Sequence, residues 1–217
     1  MNIKNITINN SNVTNADNIN SLTNIINNGK EKNKNSKYET PIFILNADLA
    51  AYSDATKNDK ELYEKIQSFW IDRKNEIDKI EECELSKLEG DCIKIFFRKD
   101  GTKLLHIAND LINKFKINFS NLNGLRIVIG YGLCFKEEKE GIIDFAGESI
   151  IETVRIDAPM KKYIKKNNEN NNQIWITESA KNKIIEKPNN LNFQPILLDE
   201  LDKGYATDIT VFKIEQQ

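Results

Sequence analysis

"FILNADLAAYSD", residues 43–54, is the stretch on which the fold turns. An apolar run ends in one carboxylate, Asp48, and a small-residue turn then leads to Tyr52 and Ser53. A strand that reads as fully buried has no packing reason to end on an acid, because a charge taken out of water is costly unless it is partnered. "LEGDCIKIFF", residues 88–97, repeats the pattern: Asp91 stands behind Gly90 and ahead of a second apolar strand. If the two strands are neighbours in one sheet, both carboxylates come to the same edge.

Working outward, strands and helices alternate. "PIFILNAD" reads as a strand. Residues 58–81 read as a helix, with Leu62, Ile66, Phe69, Trp70, Ile77 and Ile80 near helical spacing. "CELSKLEGDCIKIFF" reads as a hairpin turning at Glu89-Gly90. A second helix over 101–117 carries Leu104, Leu105, Ala108, Leu111, Ile112 and Phe115 on one face. Then come the strand "LRIVIGYGLCF", a turn and short strand in "EEKEGIIDFAG", and a single helix over "ESIIETVRIDAPMKKYIKKN". The strand "QIWIT", the short helix "ESAKNKII" and a closing hairpin over 193–215 complete the chain. Two hairpins among alternating elements argue for an α+β domain with a mixed sheet.

Residues 1–36 form a separate zone, roughly a third Asn, which buries too little apolar surface to fold and reads as a flexible tail. The domain is expected over 37–217. Lys+Arg 31 against Asp+Glu 33 gives a net charge of -2, so no electrostatic signal points to nucleic acid or to a membrane surface. No apolar run approaches the ~20 residues of a membrane span, and the first residues lack a signal-peptide core. A cytoplasmic protein is the simplest expectation. Three scattered cysteines (Cys83, Cys92, Cys134) and one histidine (His106) give no zinc spacing and no nucleophilic triad. Such cysteines fit a reducing compartment, packed as small apolar groups.

Two carboxylates with no His or Cys make a hard-oxygen site, suited to Mg²⁺ or Mn²⁺ with waters and substrate phosphates. Gly90 allows a tight turn before Asp91 and a close approach by a ligand. On spacing alone, two unrelated loop-edge aspartates are the simpler reading.

The order of motifs adds to this. "ADLAAYS", "KLEGDCIKIF", "LRIVIGYGLCF", "DFAGESIIETVRID" and "DKGYATDITVFKI" occur in the sequence and at the distances of the class III nucleotidyl cyclase catalytic domain, which the chain resembles from about Phe43 to Ile214. The resemblance implies a ferredoxin-like mixed or antiparallel sheet flanked by helices. It implies Asp48 and Asp91 as ligands of two divalent ions, Mn²⁺ or Mg²⁺, with the Leu49 carbonyl as a further contact. Arg155 would stabilise phosphate charge in the transition state. Tyr52, Lys87, Asp144 and Lys203 would meet the nucleotide, with Lys87 and Asp144 reading the base and Lys203 touching the triphosphate. The reaction implied is attack of the ribose 3′-hydroxyl on the α-phosphorus, in a homodimer whose sites draw Asp48 and Asp91 from one subunit and Arg155 from the other. Taken singly, each residue also has a plainer role: Arg155 as an ion-pair partner of Glu152 or Asp157, Lys87 as an exposed strand residue, Asp144 as a turn former.

The sequence departs from the family pattern in three places. Ile151 stands where the family carries the Asn that positions the ribose. Ala51 replaces a glycine, and Tyr52 a commoner Phe. With no sensor or membrane domain in view, these departures resemble the pyrimidine cyclases of Pycsar antiphage defence, which make cyclic UMP or cyclic CMP for a separate effector. The Lys87/Asp144 pair suits adenine and so an adenylate cyclase. A catalytically silent nucleotide-binding module is the remaining alternative, and a GGDEF-type or polymerase-palm relative the most distant one.

Overall fold

The computed structural model describes residues 35–185, 191–198 and 209–215. The Asn-rich tail up to residue 34 and Lys203 lie outside the described residues. Eight strands form one sheet: β1 (Asn35–Leu49), β2 (Cys83–Glu89), β3 (Cys92–Phe97), β4 (Leu125–Lys139), β5 (Ile142–Ala146), β6 (Gln173–Thr177), β7 (Phe193–Leu198) and β8 (Ile209–Ile214). Their order is β2-β3-β1-β4-β6-β8-β7, with β5 paired to the far end of β4. Among the described strands only the β4–β6 pairing is parallel; the others are antiparallel. The mixed α+β sheet expected from the two hairpins is therefore present.

The helices are α1 (Tyr52–Thr56), α2 (Lys60–Ile77), α3 (Gly101–Asn118), α4 (Glu148–Arg155), α5 (Asp157–Lys166) and α6 (Glu178–Ile185). Aspartates open the two long ones. Asp59 accepts from Leu62 N (2.9 Å), and Asp100 accepts from Thr102 N (3.0 Å) and Lys103 N (3.3 Å), satisfying donors that have no intrahelical partner. The apolar faces of α2 and α3 then cover one side of the sheet. Ile66, Phe69, Trp70 and Ile77 of α2 and Leu104, Leu105, Ala108, Leu111, Ile112 and Phe115 of α3 pack with Phe43, Leu45, Ala47 and Leu49 of β1. Leu62 and Ile80 sit at the margin of that core.

Strand alternation sends Ile42, Ile44, Asn46 and Asp48 to the opposite side. There α4 lies on β4, where two glycines clear its path. A Cβ on Gly130 would stand 1.9 Å from Thr153 Oγ1, and one on Gly132 would stand 2.0 Å from Ser149 Oγ. Ser149 and Thr153 are one helical turn apart, so the two glycines set both the depth and the direction of α4.

The segment read as one helix over 148–167 is two, α4 and α5, parted at Ile156. Pro159 is the reason. In a continuous helix it would withhold the bond to the Arg155 carbonyl and press its ring against that oxygen, whereas at the third position of a new helix its missing N–H costs nothing. The break puts Asp157 at a helix N-terminus. β1 also begins at Asn35, well before the apolar run at Pro41, because its first residues pair with the end of β4 (Asn35↔Lys139).

Candidate active site

Asp48 is the penultimate residue of β1, opposite Cys92 on β3 and Arg126 on β4. Directly opposed residues of an antiparallel pair share a face, so Arg126 reaches Asp48 without leaving the sheet. Its guanidinium donates from Nη2 to Asp48 Oδ2. Nε donates to Asp157 Oδ1 (2.7 Å), and Nη2 reaches Asp157 Oδ2 at 3.4 Å. The Arg126 side chain is 5% exposed, against 21% for Asp48 and 24% for Asp157. Burial, and next the Asp157 charge, push Asp48 up to about 7; Arg126 opposes this and Asp91 adds to it. Burial works against the Arg126 charge, but the Asp157 hydrogen bond and the three neighbouring carboxylates lift its pKa above the ordinary value.

Asp91 follows Gly90, which takes φ +66° in the β2–β3 turn. It adjoins Cys92, the register partner of Asp48, and its charge is felt at Asp48. The structure thus brings together the two carboxylates picked out from sequence. Gln67 braces this corner, donating from Nε2 to the Gly90 carbonyl (3.3 Å) and to Tyr52 Oη (3.1 Å). The Tyr52 hydroxyl is thereby tied to α2. Leu49 buries its side chain in the core under the helices. Ala51 holds φ 61°, ψ 31°, the left-handed conformation that a glycine takes freely and that costs Ala about 1 kcal/mol.

Among the described residues no cluster of three His, Cys, Asp or Glu side chains is placed to hold a metal. The donor set is two carboxylates, both oxygen and both mutually repelling. That set fits Mg²⁺ or Mn²⁺ bound through one or two carboxylates, with the remaining positions left to backbone oxygen, water and phosphate.

Lys87 and Asp144 also meet, Nζ to Oδ1 at 2.5 Å. This hydrogen bond lowers the Asp144 pKa, helped by the Phe145 backbone N–H, which donates to the same oxygen at 2.7 Å. The pair belongs to a clamp between the β2–β3 hairpin and the β4–β5 arm. Lys136 Nζ lies 2.5 Å from Glu84 Oε2, and Phe96 stacks on Phe145 with centroids 4.7 Å apart. Arg155 is the last residue of α4, half-buried, two before Asp157. On the same helix Ile151 is 45% exposed, and burial together with Glu148 raises the Glu152 pKa.

Similarity to known proteins was sought at three levels. No protein-family model matches the chain, and no curated protein matches it. Solved structures do. The catalytic core of a rhodopsin-guanylyl cyclase with converted specificity, in complex with ATPαS, is 14% identical, with 83% of this chain and 98% of that chain covered and a TM-score of 0.64. The adenylyl cyclase CyaB from P. aeruginosa is 11% identical, with coverage of 84% and 97% and a TM-score of 0.60. The guanylate cyclase domain of RhGC from Catenaria anguillulae, in complex with GTP, is 13% identical, with coverage of 83% and 98% and a TM-score of 0.62. The chain has the class III nucleotidyl cyclase fold.

Within this cyclase fold, Arg126 is the site residue that the motifs do not single out, and Asp157 is named there only as a neighbour of Arg155. The signal was present: Arg126 is the one charge in the otherwise apolar run "LRIVIG", and a buried guanidinium requires a carboxylate. Asp157, offered from sequence as a partner for Arg155, pairs with Arg126. The cysteines behave as expected of packed apolar groups. Burial pushes Cys92 up to about 12 and Cys83 and Cys134 up to about 11, so all three are held as thiols. His106 is exposed on α3. No helix among the described residues is long and apolar enough to cross a membrane.

Proposed function

We propose that the protein is a nucleotide cyclase that converts a ribonucleoside triphosphate to a 3′,5′-cyclic nucleotide and pyrophosphate. The observation that carries this reading is the convergence of Asp48 and Asp91 at one sheet edge in a cyclase fold, beside a buried guanidinium. In the reaction the 3′-oxygen bonds to the α-phosphorus, the bond from that phosphorus to the bridging oxygen breaks, and pyrophosphate leaves with the electron pair as the hydroxyl proton is lost. Divalent ions held by Asp48 and Asp91, with the Leu49 carbonyl, supply hydroxyl activation and charge neutralisation when bound.

The chain's own residues do the rest. Arg155 offers an always-charged donor to the phosphate as charge builds. Lys87 and Asp144 present a donor and an acceptor side by side for the edge of a base. Lys203 is proposed for the triphosphate. Tyr52, tied to Gln67, shapes the wall behind the metal loop. We place Arg155 opposite Asp48 and Asp91 of a second subunit, so the active form is a homodimer.

For the base, we favour uracil or cytosine, with a cyclic pyrimidine nucleotide acting on a separate effector in antiviral defence. That choice rests on the resemblance to the pyrimidine cyclases alone. The joined Lys87–Asp144 pair favours adenine as the second reading, its N1 accepting from the lysine and its N6 amine donating to the carboxylate. The test is incubation of the protein with each ribonucleoside triphosphate in Mn²⁺, with products resolved by mass. Cyclic UMP or cyclic CMP supports the pyrimidine reading, and cyclic AMP replaces it with the adenylate one. No cyclic product from a folded dimer overturns the cyclase reading in favour of a silent nucleotide-binding module.

A further inference from the structure

We propose that Arg126 is a cation relay for the metal site, neutralising Asp48 while no divalent ion is bound and withdrawing onto Asp157 when one binds. Asp157, outside the ligand pair, would then set the metal affinity. The inference rests on Asp48 and Asp91 being the metal ligands.

Three observations carry it. First, one guanidinium serves two carboxylates: Nη2 donates to Asp48 Oδ2 while Nε holds Asp157 Oδ1 at 2.7 Å. Second, the fork onto Asp157 is half closed. Its other arm, Nη2 to Oδ2, stands at 3.4 Å, beyond a normal bond, because Nη2 leans to Asp48. Third, Arg126 is held between these two carboxylates. Its side chain is 5% exposed, and among the described residues its ion pairs are with Asp48 and Asp157 alone.

A divalent ion on Asp48 would stand beside a guanidinium that cannot discharge by losing a proton. Repulsion is relieved if Nη2 moves about half an ångström toward Asp157 Oδ2. That shift completes the two parallel bonds by which guanidinium and carboxylate pair best. It also frees the Asp48 oxygen that Nη2 holds in the metal-free site. Asp157 is suited to the role by position: it opens α5, where the helix dipole favours a negative charge, and Pro159 is what places the helix start there.

Arg126 and Asp157 are therefore positioning residues, and the test reads metal rather than turnover. Mn²⁺ binding to the full chain, without nucleotide, is followed by electron paramagnetic resonance of free Mn²⁺. The set is the unaltered protein, Asp157→Asn, Asp157→Glu, Arg126→Gln and the Arg126→Gln/Asp157→Asn pair, with Asp91→Asn as the site control. Asp157→Asn is expected to weaken Mn²⁺ binding about tenfold, the usual scale for a residue supporting a metal ligand, and Asp157→Glu to restore most of it. With Arg126→Gln in place, Asp157→Asn should change the affinity by less than about twofold. An unchanged affinity in Asp157→Asn, or an equal loss with and without Arg126, overturns the relay. Mn²⁺ binding indifferent to Asp91→Asn overturns the metal-site reading itself, a separate outcome. Should Arg126→Gln fail to fold, Arg126→Lys takes its place. A lysine holds one carboxylate at a time, so the dependence on Asp157 should shrink, and its full persistence overturns the relay.

Discussion

Asp48→Asn should make the protein more stable at pH 8 while destroying its metal site. In metal-free protein, Asp48 is a mostly buried acid among two other carboxylates, with Arg126 the main opposing charge. Its pKa rises from 3.8 to about 7. The folded state binds the Asp48 proton more tightly than the unfolded chain does, so this stability is full below pH 4 and is lost as pH rises through 7. At 1.36 kcal/mol per unit, the rise caps the effect at about 4 kcal/mol. Because the side chain is still 21% exposed, about 2–3 kcal/mol is the sounder expectation. Asn keeps the shape and an oxygen for Arg126, while Asp157 retains the charge pairing. Urea unfolding in EDTA should therefore show Asp48→Asn ahead by that amount at pH 8 and level near pH 4, equivalent to about 4–12 °C in melting temperature for a domain of this size. A variant equal to or weaker than the unaltered protein at pH 8 would show that the Arg126 pair outweighs burial, the opposite of the balance derived from the buried carboxylates.

Other substitutions probe the scaffold and the base pair. Gly130→Ala drives a Cβ into Thr153 Oγ1 and should cost about 1–3 kcal/mol in urea unfolding, most of it recovered in Gly130→Ala/Thr153→Ala. Ala51→Gly should gain about 0.5–1 kcal/mol, since the residue holds a left-handed conformation; a loss would mean that its methyl packs usefully. Lys87→Met breaks a half-exposed ion pair and should cost about 1 kcal/mol of stability or less while lowering kcat/KM and altering the ranking of triphosphates, measured by competition. Mn²⁺ binding at subsaturating metal should weaken as pH falls through about 7, because proton and ion compete for Asp48, and excess Mn²⁺ should move that loss to lower pH.

Much of this architecture was legible because two periodicities stand out. The apolar residues chosen for α3 by spacing are the ones the sheet covers, and the hairpin read at Glu89-Gly90 turns there, with Gly90 at a positive φ. Asp48 and Asp91 could be paired from sequence because each ends or begins an apolar strand where a charge needs a purpose. Arg126 was harder to read. Its meaning depends on the β1–β4 register, which sets it opposite Asp48, and on the Pro159 break, which delivers Asp157 to it. Non-local pairings of this kind leave little trace in a local pattern. The same holds for Lys87 with Asp144, which meet only because the β4–β5 arm folds toward the hairpin and stacks Phe145 on Phe96.

The most direct test of the account is complementation between two inactive variants. Asp91→Ala removes a metal ligand and Arg155→Ala the transition-state donor, and each protein alone should give no cyclic nucleotide. Unfolded together and refolded as a mixture, they should recover about a quarter of the unaltered activity, since half of the dimers are mixed and each holds one intact site. Activity that stays at background in a mixture shown to contain mixed dimers would contradict a site shared between subunits. Substantial activity in either variant alone would contradict the assignment of Asp91 and Arg155 to the chemistry.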